Sequence, residues 1–159
     1  MSIRLNLGCG TDIRKDYTNI DVRKSHPSVV EADVRALPYE PNSVDEVFAQ
    51  DVYEHVSFRE SKDMLKHWVS IIKPGGVLYI HTSCFISISE FMAKSDTVEK
   101  MERTIAIIFG GQDYPENFHT TAGHPVLFKK YLRDAGVEGE IVIKTGIGNG
   151  CGMSVRAIK

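Results

Sequence analysis

Two glycines one residue apart, Gly8 and Gly10, followed by carboxylates at Asp21 and Asp33, are the residues of this 159-residue chain whose types and spacing best suit ligand chemistry. Glycine has no Cβ, so the backbone of Gly8-Cys9-Gly10 can turn sharply and approach a bound molecule closely. Asp21 closes the strand-like run Thr18-Asn19-Ile20-Asp21-Val22, where it can accept hydrogen bonds from a ribose diol. Asp33 closes Val29-Val30-Glu31-Ala32-Asp33 and can accept from an adenine amino group. A glycine turn with acids at the ends of the next two strands describes an adenosine site on the carboxyl edge of an open α/β sheet. A dinucleotide site places an acid about 20 residues beyond G-x-G-x-x-G. Here the third glycine position is Ile13 and Asp21 arrives much sooner, which counts against a pyrophosphate on a long helix.

Those residues need strands beneath them, and the apolar periodicity supplies the strands. Residues 3–7, 18–22, 29–33, 44–49 and 77–81 read as strands, with 140–144 and 153–158 as a final hairpin around a glycine-rich turn. Ser57 with Glu60 forms a capping-box pattern ahead of a helix whose apolar face carries Leu65, Trp68, Val69 and Ile72, stopped by Pro74-Gly75-Gly76. A long helix over 88–108, an ordered loop over 109–124, and an amphipathic helix over 125–134 closed by Gly136 complete the chain. Alternation of strands and helices argues for a mainly parallel sheet. The segment 82–124 interrupts the alternation and reads as a lid-like insertion in a single domain covering 1–159.

The totals narrow the function. Charged residues are 25% of the chain and the formal net charge is -2, so no footprint of a polyanion binder is visible. Cys9, Cys84 and Cys151 are odd in number and without a C-x-x-C pair, which fits a reducing cytoplasm better than a disulfide framework or a zinc knuckle. The N-terminus, Met1-Ser2-Ile3-Arg4-Leu5, shows no leader pattern, and no run approaches the roughly 18 apolar residues of a membrane span.

The chain resembles the class I, Rossmann-like S-adenosylmethionine-dependent methyltransferases. Carrying the resemblance are Leu5-Asn6-Leu7-Gly8-Cys9-Gly10, Asn19-Ile20-Asp21, Ala32-Asp33 with Leu37-Pro38-Tyr39, Ser43-Val44-Asp45-Glu46-Val47, Glu54-His55 and Lys73-Pro74-Gly75-Gly76, in the family's order. Residues 128–136 also resemble the family's penultimate helix, and Gly110-Gly111-Gln112-Asp113-Tyr114 with Asn117-Phe118-His119 is loosely similar to small bacterial members. The resemblance implies an α/β fold: a seven-stranded, mostly parallel, doubly wound sheet with an antiparallel last strand. It also implies that the Gly8 to Gly10 turn holds the methionine portion of S-adenosylmethionine and Asp21 the ribose. Asp33 and the backbone of Val34 would hold adenine, and Gln50-Asp51 would face the amino group and sulfonium. Asn6, Cys9, Val22 and His55 belong to the same expected set of cofactor positions, although Asn6 stands where many members carry an acid. The first crossover, 11–17, is short, and the lid must come from 82–124 or from another subunit.

Each residue has a plainer role to set beside this one. Asp21 and Asp33 taken singly could be strand-end solvent residues, Trp68 is core, and Cys9 fits its turn as a small residue. His119 and His124, with Asp113 or Glu116, suggest a metal, but a site needs three or four convergent ligands, and no metal is expected. As general bases the two histidines are the candidates, since imidazole titrates near neutrality; no dedicated catalytic residue is required, because methyl transfer depends mainly on alignment. The Asn-Pro-Pro-Tyr motif of amino-directed nucleic-acid methyltransferases is absent where Gln50-Asp51-Val52-Tyr53 stands. The expected acceptor is a small molecule or saccharide; the competing reading is a noncatalytic module that binds S-adenosylmethionine or S-adenosylhomocysteine.

Overall fold

The computed structural model describes residues 2–159, so Met1 of the N-terminal reading lies outside the described residues. Seven strands, β1 (Arg4–Leu7), β2 (Thr18–Asp21), β3 (Val29–Glu31), β4 (Val44–Gln50), β5 (Ile72–Ser83), β6 (Ile141–Ile147) and β7 (Gly152–Ile158), form one sheet in the order β3-β2-β1-β4-β5-β7-β6. The pairs from β3 across to β5 are parallel, while β7 runs antiparallel to both β5 and β6. This is the expected Rossmann-like arrangement with an antiparallel last strand.

Period-2 alternation decides which face is core. Leu5, Val47, Leu78 and Ala157 stand in register across four strands, as do Leu7, Ala49, Ile80 and Val155, and all are 2% exposed or less. Against them lie α1 (Ser61–Ile71), through Met64, Leu65, Trp68 and Val69, and α4 (Pro125–Asp134), through Phe128 and Leu132. The opposite face is polar and aromatic. Phe48 stacks on Tyr79 with centroids 5.0 Å apart, the Arg14 guanidinium lies 3.4 Å from the Phe48 centroid, and Tyr17 donates to Glu46. The short first crossover therefore covers this face without a helix, by laying Arg14 and Tyr17 on it.

Three local expectations are corrected. Ser57 does not build a capping box: its carbonyl accepts from Glu60 N and Ser61 N, α1 starts at Ser61, and the Glu60 carboxylate is drawn away to Arg35 at 3.0 Å. Pro74-Gly75-Gly76 does not stand outside the sheet, because β5 begins at Ile72, paired with Val44. Gly76 permits this passage, since a Cβ there would sit 2.7 Å from Ile72 Cγ2 and 2.9 Å from the Asp45 carbonyl. The long helix over 88–108 is two helices, α2 (Phe85–Ala93) and α3 (Val98–Phe109), separated where the Thr97 hydroxyl accepts from Lys100 N and caps α3. Along α3, Val98, Met101, Ile105 and Phe109 form an exposed apolar stripe.

Candidate active site

The carboxyl ends of β1, β2 and β4 open onto a cavity of about 470 Å³ lined by Gly8, Gly10, Asp21, Val22, Asp33, Val34, Asp51 and His55. Tyr114, Phe118 and Thr120, from the loop that follows α3, also line it. Asp21, only 8% exposed, accepts from Gly10 N through Oδ2 and from Arg23 N through Oδ1, both at 2.8 Å. It therefore holds the glycine turn while keeping lone pairs toward the cavity. Gly8 and Gly10 both have positive φ, +57° and +50°. A Cβ on Gly8 would run into Val52, whereas one on Gly10 would meet nothing within 4 Å, because the space beside Gly10 is the cavity.

At the end of the cavity where adenine is expected, Asp33 already has a partner. Arg35 grips the Asp33 carboxylate through its backbone N, Nε and Nη2, which holds that carboxyl below its ordinary range despite partial burial. Val34 is fixed from beneath: the fully buried Trp68 donates its indole N–H to the Val34 carbonyl at 2.8 Å. Trp68 is thus core, and it also sets the turn on which Asp33 and Val34 sit.

Other expected residues stand outside this cavity. Asn6 is buried behind the glycine turn, where its amide donates to the Asp12 carbonyl and to Asn19 Oδ1. Cys9 is buried, and burial, then the charge of Asp21, pushes its thiol up to about 11, so it is not a reactive thiolate. Gln50 is exposed at the end of β4 and does not line this cavity. His124 caps α4 by accepting from Val126 N at 3.2 Å, which turns it away from the site for a structural reason. His119 donates from Nδ1 to the Ile107 carbonyl at 2.7 Å and packs edge-on against His55, with centroids 4.8 Å apart.

A second cavity, of about 430 Å³, meets the first at Asp51, which lines both. Its floor carries Glu54, His81 and Ser83, and its roof carries Arg103 and His119. Glu54 is 2% exposed and accepts from Thr82 Oγ1 at 2.8 Å and from Ser83 N at 3.1 Å. Among the described residues no group of three His, Cys, Asp or Glu side chains converges to hold a metal ion. Sequence reasoning missed His81 and Ser83, which lie among the last residues of β5 with no motif around them.

His81 donates from Nδ1 to Asp51 Oδ1 at 2.8 Å. This hydrogen bond raises the imidazole above its ordinary 6.5, against the opposing effect of burial. Burial pushes Asp51 upward, but the hydrogen bond and charge of His81 outweigh it, and the carboxyl lies below 3.8. The raised imidazole stabilises the fold fully below pH 6.5, and that contribution is lost as pH rises through the folded-state value. In Asp51→Asn, proton-detected titration of the His81 ring should show a lower pKa, and the stability slope just above pH 6.5 should flatten. An unchanged His81 titration would break the assigned pairing.

Similarity to known proteins accords with this geometry. A family model described as "Methyltransferase domain" matches residues 6–80. Among solved structures, a SAM-dependent methyltransferase from Archaeoglobus fulgidus superposes with a TM-score of 0.68 at 14% identity, over 99% of this chain and 86% of that one. An O-methyltransferase family protein from Burkholderia thailandensis gives 0.65 at 13% identity, over 99% and 51%. The [4+2]-cyclase SpnF gives 0.60 at 15% identity, over 99% and 74%. No curated protein matches the chain.

Proposed function

From the methyltransferase-domain match over residues 6–80 and the Rossmann-like fold, we propose that the chain is a class I S-adenosylmethionine-dependent methyltransferase that methylates a small molecule or saccharide held in the second cavity. The observation that carries this reading is the meeting of the two cavities at Asp51, one shaped for the cofactor and one beside it for the acceptor. Both volumes fall within the roughly 300–1,000 Å³ of small-ligand sites.

The residues present fit the cofactor. Asp21 offers the ribose its remaining lone pairs, Gly10 leaves room beside the backbone, and the Val34 turn is held ready for adenine by Trp68. Asp33 already carries Arg35, so adenine is read mainly by the Val34 backbone. When bound, S-adenosylmethionine supplies an electrophilic methyl on a cationic sulfur, and Asp21, Asp51 and Glu54 surround that region with negative charge. Tyr114 and Phe118, from the segment 82–124 that we read as a lid, line the cofactor side. A net charge of -2 speaks against nucleic acid as acceptor, and three unpaired cysteines favour a cytoplasmic location. No helix among the described residues is long and apolar enough to cross a membrane.

Calorimetric titration with S-adenosylmethionine and S-adenosylhomocysteine tests the cofactor half of the reading. Saturable binding of both, with none of a nicotinamide dinucleotide, is the expected result. No heat at about millimolar ligand, the weak limit of specific binding, would sink it.

A further inference from the structure

We infer that His81, held by Asp51, takes the proton from a hydroxyl acceptor seated in the second cavity, and that Arg103 selects acceptors bearing a carboxylate or phosphate. The inference rests on the methyl-transfer reading above and adds to it a base and an acceptor class.

The geometry of His81 resembles that of an oriented general base. Asp51 N donates to the His81 carbonyl at 2.9 Å, which locks the two backbone segments together. The Asp51 carboxylate then takes the Nδ1 proton, leaving the neutral ring with its lone pair on Nε2. Nε2 has no hydrogen-bond partner among the described residues. It faces the start of β7 and the turn before it, where a Cβ on Gly152 would stand 3.0 Å away and one on Gly148 3.8 Å away. Glycine at 152 spares that nitrogen a crowding methyl group, whereas a Cβ at 148 would make only ordinary contact.

A second observation points to a ligand at the same spot. Ser83 is 8% exposed, lines the cavity, and its Oγ is buried with no hydrogen-bond partner. Orphaned buried hydroxyls are uncommon, and rotation about the Ser83 Cα–Cβ bond would turn this one toward a polar acceptor in the cavity. The cavity's two carboxylates already have internal donors: His81 for Asp51, and Thr82 and Ser83 N for Glu54. Arg103, in contrast, lies within ion-pair distance of no carboxylate among the described residues. An anionic group on the acceptor is its natural counterpart. The remaining groups that face His81 do not compete for its proton. His119 spends Nδ1 on the Ile107 carbonyl, and burial raises the Cys151 thiol.

In the step itself, the acceptor O–H bond breaks and its proton passes to Nε2 of His81. The oxygen lone pair forms the bond to the methyl carbon while the carbon–sulfur pair leaves with sulfur, which becomes a neutral thioether. The imidazolium, stabilised by Asp51, afterwards returns its proton to solvent.

The test uses the full chain with glucuronate, glucose 6-phosphate and 4-hydroxybenzoate as anionic probes, and glucose and phenol as their neutral counterparts. S-adenosylhomocysteine release is followed from about pH 5 to 9, and His81 ring signals are followed during probe titration in the presence of S-adenosylhomocysteine. At least one anionic probe should shift His81 and be methylated about 10-fold faster than its neutral counterpart, with the responding member separating carboxylate from phosphate. His81→Gln should bind cofactor normally, lose about 100-fold in kcat and lose the acidic limb of the pH profile. Asp51→Asn should move that limb to lower pH, and Arg103→Gln should raise KM with little change in kcat. The inference is overturned if His81→Gln keeps kcat and the limb, if neutral probes serve equally well, or if the cofactor binds yet no anionic probe is methylated or shifts His81. Failure of the unaltered protein to bind cofactor would instead overturn the reading beneath it.

Discussion

Asp21→Ala should weaken S-adenosylmethionine binding by about 100-fold or more, the largest affinity loss expected from any single truncation in the first cavity. The magnitude follows from the chemistry of the group. Hydrogen bonds to a charged acceptor contribute about 1.5–3 kcal/mol each, and a ribose diol makes two of them, so the loss spans about two to four powers of ten. Part of the effect passes through the protein, because the same carboxylate holds Gly10 N and Arg23 N at 2.8 Å. A 2′-deoxy analogue of S-adenosylhomocysteine separates the two contributions. It should bind the unaltered protein more weakly than the parent compound and bind Asp21→Ala no worse than the parent does. Asp21→Asn, which keeps one acceptor oxygen for the Gly10 amide, should fall between. Affinity in Asp21→Ala within about threefold of the unaltered protein would remove Asp21 from the site, since that is less than one ordinary hydrogen bond.

The parts of the molecule legible in the sequence are those governed by local spacing. Leu5 and Leu7 alternate with Arg4 and Asn6 and so announce both strand and face. The glycine turn and Asp21 lie only eleven residues apart at their hydrogen-bonded atoms, so their association was within reach of a pattern. Where the reading failed, a distant partner had taken a local group. Glu60 suits a capping box, but Arg35, twenty-five residues upstream, carries a stronger charge-assisted claim on it. Pro74-Gly75-Gly76 suits a helix stop, but Val44 recruits Ile72 into the sheet before that stop is reached. The break between α2 and α3 was legible in principle, since Ser95-Asp96-Thr97 is a run of capping residues and Thr97 does cap.

Within the candidate site, the same distinction separates the two cavities. The first is assembled from strand ends that follow one another closely in the chain, and most of the positions expected for it line it. The second joins Asp51 to His81 across thirty residues, and brings Arg103 and Cys151 to the same space from elements that share no motif. His119 and His124 stand out in the sequence only because they fall in a stretch without a clear period. The structure gives His124 to a helix cap and leaves His119 at the cavity wall with one nitrogen committed. A histidine at the end of a strand carries no signal until the neighbouring strand is known, and β4 places Gln50 in register with His81 and Asp51 directly beyond it.

Gly8→Ala should lower the stability of the fold by about 2–5 kcal/mol, two separate costs adding at one atom. The residue has φ +57°, a conformation that costs an alanine about 1–2 kcal/mol, and its Cβ would overlap Val52 Cγ2 with Val52 Cβ and Cγ1 only 3.2 Å away. Overpacking of that kind adds about 1–3 kcal/mol. For a chain of this size the fall in Tm should be on the order of 10 °C. Combining it with Val52→Ala relieves the overlap but not the backbone strain, so the double variant should be more stable than the sum of the single losses predicts. Gly10→Ala makes the contrast, since φ is +50° but a Cβ meets nothing within 4 Å. That variant should lose only the backbone cost in Tm and a disproportionate share of S-adenosylmethionine affinity, because the new methyl group occupies ligand space rather than protein space. If Gly8→Ala melted within about 2 °C of the unaltered protein, less than 1 kcal/mol of effect, the close approach of the turn to Val52 would be wrong. The site built on that approach would then need another geometry.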